Sequence, residues 1–151
     1  MTNLRVLVVE DSSSLVGFLV RTVSDVWESI RSYENNPYSG IEVEKAKTER
    51  EAKDLIRDQA PFDLFILDLC IPKEINSQTG EITGTYNGLH LIAFADNKGR
   101  KPKSAISLTT ATGEGIPDEV NSDMGRDYLE GYFHKDNFVC LHKGRDDNSA
   151  I

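Results

Sequence analysis

With 151 residues, 38% of them apolar and 28% charged, the chain has the size and balance of one globular domain with a sizeable core. Its net charge of −8 argues against nucleic acid or an anionic membrane as main partner, since both demand clustered positive charge. Cys70 and Cys140 show neither CxxC nor zinc-type spacing, which fits a reducing compartment better than a disulfide scaffold. No charged-then-apolar leader opens the sequence and no apolar run has the length of a membrane span, so a cytoplasmic location is expected.

The first element is a nearly continuous aliphatic run, residues 4–9, the pattern of a strand buried on both faces. It ends in two adjacent carboxylates, Glu10 and Asp11, a costly pair beside a core unless both face water or a cation sits between them. Three serines follow as N-cap candidates. Leu15, Phe18, Leu19, Val23, Val26, Trp27 and Ile30 then recur at three- and four-residue steps, predicting a long amphipathic helix with a core-facing stripe.

Turn residues at 34–40 close that helix, and residues 41–46 alternate as a half-exposed strand. Thr48 and Glu51 form a capping-box pattern that opens a helix burying Ala52, Leu55 and Ile56. The most apolar segment, "FDLFILDLC" (62–70), reads as a second buried strand ending at Asp68. Residues 73–88 then form an unusually long connection, with a hairpin centred on Thr79 and Gly80 as its candidate structure.

A helix is predicted over 87–99, closed by Gly99, and short strands over 104–108 and 131–135. A polar, weakly helical stretch separates those strands. Phe138, Val139 and Leu141 are expected to begin one short final helix, followed by a polar tail over 144–151. Alternating strands and helices imply right-handed crossovers and a parallel sheet between helical layers. In such sheets chemistry sits beyond the carboxyl ends of the strands. Glu10, Asp11, Asp68, Thr109, Thr110 and Lys135 are the polar residues predicted there.

An ionised Asp68 after so apolar a strand needs a partner, and with Glu10 and Asp11 it suits a hard cation such as Mg²⁺. Lys135 and a threonine hydroxyl add the positive charge and donor that a phosphoryl oxygen needs. An aspartyl-phosphate chemistry fits this set.

The segments "VLVVEDSSSL", "LFILDLCIP", "ISLTTATG" and "GYFHKD" together resemble the response-regulator receiver domain, in that family's order. The resemblance implies a doubly wound, flavodoxin-like α/β fold with five parallel strands in the order 2-1-3-4-5, over residues 1–143 with an insertion at 73–88. It implies a short or missing last helix. It makes Asp68 the phosphoacceptor for a histidine kinase or phosphotransfer protein, in a relay that switches a surface for a downstream protein. It further implies Mg²⁺ on Asp11, Asp68, the Cys70 carbonyl and, through water, Glu10. Lys135 becomes the phosphate-binding lysine, Thr110 the switch hydroxyl and Tyr132 the rotating aromatic. On this reading the chain is a signalling phosphoacceptor, not an enzyme in the ordinary sense. A receiver-like binding module that is never phosphorylated, and a Mg²⁺-dependent phosphohydrolase, are the alternatives. The hydrolase is disfavoured because Cys70 stands where a second Asp is wanted.

Overall fold

A computed structural model describes residues 2–109 and 122–142. Five parallel strands form its centre: β1 (Thr2–Val9), β2 (Tyr38–Ala46), β3 (Leu64–Asp68), β6 (Ser104–Thr109) and β7 (Phe138–His142). Their spatial order is β2-β1-β3-β6-β7, which is the expected 2-1-3-4-5 once the inserted strands are set aside. Those insertions are β4 (Ile71–Ile75) and β5 (Ile82–Tyr86), an antiparallel hairpin of its own. The helices are α1 (Ser13–Ile30), α2 (Glu49–Asp58), α3 (His90–Asn97) and α4 (Ser122–Glu130). None of the described helices is long and apolar enough to cross a membrane.

Local chemistry starts the helices where the sequence predicts. Ser12 caps α1, its hydroxyl accepting from the Leu15 amide. Thr48 caps α2, accepting from the Glu51 amide at 3.1 Å. The Glu51 carboxylate reaches back one residue further than in the usual capping box, to the Lys47 amide at 2.8 Å. The hairpin turn uses Gly80 at a left-handed φ of 74°, a conformation that costs glycine little.

The two faces of the sheet are covered unequally. Leu7, Val9, Phe65 and Leu67 pack with Ala52, Ile56, Leu91, Ile92 and Leu129 from α2, α3 and α4, forming the main core. On the other face the buried residues are Val6, Val8, Ile66 and Leu108, packed with Leu19 and Val23 of α1. Among the described residues α1 alone covers this side, and an apolar groove of about 240 Å³ runs beside it over Ile106, Leu108 and Leu141. The predicted α1 stripe is therefore only partly core: Trp27 is buried, but Phe18 and Val26 are exposed.

Two expectations for the last third of the chain are corrected. Residues 131–135 are not a strand. The backbone there closes α4, with Gly131 donating to Tyr128 and Phe133 to Leu129, and Phe133 plugs the core from a turn. The fifth strand is instead Phe138–His142, a segment whose sequence predicts the start of a helix. Alternation decides it: Phe138 is buried and Val139 exposed, Cys140 is half-buried and Leu141 exposed, a period of two.

Candidate acidic site at the strand ends

Strand register fixes which side chains meet. Val9 pairs with Leu67, and Asp68 with Leu108, so the carboxyl ends of β1, β3 and β6 lie level. Glu10 and Asp11 follow β1 directly, and Asp68 is the last residue of β3. One carboxylate oxygen from each of Glu10, Asp11 and Asp68 lies within 4.8 Å of the other two. Glu10 and Asp68 are almost fully buried, at 0% and 1% exposure, while Asp11 faces out.

Backbone contacts hold the buried pair in place. The Glu10 amide donates to Ala46 of β2 at 3.0 Å, and its carboxylate Oε2 accepts from the Ser12 amide at 3.0 Å. Asp68 Oδ1 accepts from the Cys70 amide at 3.2 Å, which fixes one carboxylate oxygen relative to the turn. Leu69, next in the chain, donates to the Leu108 carbonyl at 3.2 Å and extends the β3–β6 pairing past the site.

Three carboxylates so close in a low-dielectric pocket repel one another strongly. A divalent cation with oxygen ligands suits this donor set, because it neutralises the cluster and accepts one or two carboxylates beside water.

The other predicted residues are placed differently. Thr110 lies outside the described residues; Thr109 ends β6. Lys135 does not join the acidic cluster. It begins a 3₁₀ turn, Lys135–Asn137, that leads into β7, whose Phe138 pairs with Ala105. Asp68 pairs three residues further along β6, at Leu108, so at about 3.3 Å per residue Lys135 sits roughly 10 Å or more down the sheet. Tyr132 is at that same end: its carbonyl accepts from Lys101 Nζ, which precedes β6, and its ring packs on Tyr128.

One residue that sequence reasoning passed over is central. Gly88 packs so tightly on the Asp68 main chain that a Cβ would overlap the Asp68 carbonyl oxygen. The inserted hairpin therefore leaves the chain just after Asp68 and returns to it at Gly88. The sequence puts Asn87 and Gly88 at the start of the predicted helix, which begins instead at His90, and nothing local signals a contact twenty residues back. A second such residue is Ser107, a fully buried hydroxyl on β6.

No family model matches this sequence, and no curated protein matches it. Solved structures do. The Vibrio cholerae chemotaxis protein CheY4 aligns with a TM-score of 0.54 at 21% identity, over 97% of this chain and 90% of that one. The chain has the receiver fold. A response regulator receiver protein from Sinorhizobium medicae aligns at 0.53 and 12% identity, over 93% of this chain and 82% of that one. A structure described as an adenylate cyclase from Rhodopirellula baltica aligns at 0.53 and 20% identity, over 93% of this chain and 76% of that one. At such identities these likenesses establish architecture, and chemistry has to be argued from the site.

Proposed function

We propose that the chain is a phosphoacceptor receiver, in which Asp68 takes a phosphoryl group from a histidine kinase or phosphotransfer protein. The observation that carries this reading is the meeting of Glu10, Asp11 and Asp68, two of them buried, on adjacent strand ends of a receiver fold. Asp11, Asp68 and the Cys70 carbonyl would hold Mg²⁺, with Glu10 behind them. Bound there, the ion would neutralise the carboxylates and the charge of the transferring phosphoryl group.

In the transfer, an Asp68 carboxylate oxygen attacks phosphorus while the bond to the donor breaks. With a phosphohistidine donor the P–N bond is lost and the leaving imidazole takes up a proton. The Cys70 amide holds Oδ1 at 3.2 Å, so the carboxylate meets the donor in a fixed orientation.

The phosphate-neutralising lysine is reassigned. β7 ends at His142, level with Thr109 at the site's end of the sheet, and the next residue in the chain is Lys143. Chain order favours Lys143 over Lys135 for this role. The position three residues before it is Cys140, so the switch aromatic expected of Tyr132 has no counterpart at that spacing. Thr110 keeps its proposed role as the hydroxyl drawn toward a phosphorylated Asp68.

Intact-mass analysis after incubation with Mg²⁺ and acetyl phosphate tests the proposal. One phosphate adduct on the wild type, absent from Asp68→Asn, is expected. No adduct combined with no Mg²⁺ binding would leave a constitutive binding module as the better reading.

A further inference from the structure

Strands β4 and β5 have no part in the phosphotransfer just described, yet both ends of their hairpin meet at Asp68. It departs through Leu69 and Cys70 and returns through Tyr86, Asn87 and Gly88. Gly88 closes on the Asp68 carbonyl, and the fit leaves no room for a side chain. The placement of Asp68 thus depends on what holds the 86–88 segment down.

Tyr86, the last residue of β5, is the anchor of that segment. Its ring takes Lys53 Nζ over one face at 5.1 Å and meets His90 edge-on at 5.8 Å. Lys53 itself is held by Glu49 at 2.6 Å, and His90 continues the stack to Tyr128 of α4 at 5.6 Å. Further up the hairpin, Glu74 pairs with Arg50 at 2.6 Å. Helices α2 and α3 therefore hold the return limb at Tyr86, α4 backs it through His90, and α2 also holds the outgoing strand at Glu74. Cation–π and edge contacts of this kind act through the ring and do not need the hydroxyl.

The geometry points to Tyr86 as a positioning residue for the phosphoacceptor, seating Gly88 against Asp68 through its packing between Lys53 and His90. This inference rests on the reading of Asp68 as phosphoacceptor. It assigns the insertion a role as a brace of the acidic site, acting through the backbone of Asp68 and not through its carboxylate.

The test measures acetyl-phosphate labelling and Mg²⁺ affinity on the full chain for Tyr86→Ala, Tyr86→Phe and Ile82→Ser. Loss of a supporting residue behind a metal-binding carboxylate typically costs about 10–100-fold in affinity or activity. Tyr86→Ala is expected to lower the maximal labelling rate about tenfold and to weaken Mg²⁺ severalfold, with little change in half-saturation by acetyl phosphate. Tyr86→Phe restores both to within about twofold, and Ile82→Ser, exposed on the hairpin, changes neither. Wild-type rate and Mg²⁺ affinity in Tyr86→Ala would overturn the inference, as would a Phe variant no better than Ala. Should Tyr86→Ala unfold, Tyr86→Leu is judged by the same two readings. If the wild type accepts no phosphate, the phosphoacceptor reading alone fails, and the Mg²⁺ affinities still decide the brace.

Discussion

Gly88 lies against the main-chain carbonyl of Asp68, with no space between them for even one carbon. Its φ is not in the left-handed region, so the demand for glycine is one of volume and not of backbone conformation. Gly88→Ala must push the end of β3 or the start of α3 aside. Overpacking of this kind costs about 1–3 kcal/mol and occasionally more. The urea midpoint should fall accordingly, and acetyl-phosphate labelling should drop further than in a surface variant of equal stability. An Ala variant as stable as wild type would mean that the two segments are not locked together.

The register of β7 sets Lys135 apart from Asp68, which is why Lys143 is proposed in its place. Lys135 is at the amino end of β7, the first residue of the Lys135–Asn137 turn, and remote from Asp68. Lys135→Ala should therefore leave labelling by acetyl phosphate within about twofold of wild type, since exposed substitutions away from a site have small effects. Lys143→Ala should slow labelling by about 10²-fold, the scale of losing one charge-stabilising donor in a transfer step. Equal loss in both variants, or loss only in Lys135→Ala, would reverse the assignment.

The first two-thirds of the fold were legible because each element carried its own signal. Val6 to Val9 are an uninterrupted aliphatic run, Thr48 and Glu51 mark a helix start, and Gly80 marks a hairpin turn. The meeting of Glu10, Asp11 and Asp68 was legible for a related reason: each ends or directly follows an apolar strand of one parallel sheet. The last strand was not. "GYFHK" and "FVCLH" are both short apolar runs, and neither has enough length to show a period. Helix α4 took the first as its closing turn, because Phe133 can reach the core from there. The proposed phosphate-binding lysine shifts from Lys135 to Lys143 because the strand is Phe138–His142. Gly88 escaped because its partner is tertiary.

Ser107 offers a test of the packing behind the site. It is fully buried on β6, and among the described residues its hydroxyl has no hydrogen-bond partner. The Cβ position of Gly125 in α4 lies 3.9 Å from that hydroxyl, so the helix packs directly over it. A buried polar group without a partner costs stability, whereas an apolar group of nearly the same shape does not. Ser107→Ala should be neutral or stabilising by up to about 1 kcal/mol in urea unfolding. Destabilisation by more than that would reveal a hydrogen bond at this serine.

The phenol of Tyr86 links the brace to pH. Burial first, and the nearby Glu49 carboxylate second, push it up from the ordinary 10.0 to about 12. The folded chain therefore holds this proton more tightly than the unfolded chain does. Its contribution to stability is complete below the ordinary tyrosine value and is lost as pH rises through the folded one. Tyr128 is shifted in the same direction, chiefly by burial, so wild-type stability in alkali reports both rings. Comparison with Tyr86→Phe separates them, since the variant keeps the ring and has no proton to lose. Urea midpoints of the two proteins, measured from about pH 9 to pH 12, should run parallel at first. Above the ordinary tyrosine value the wild type should fall faster. Parallel curves across the whole range would show that the Tyr86 hydroxyl titrates alike in both states, and that the ring is less enclosed than its contacts with Lys53 and His90 imply.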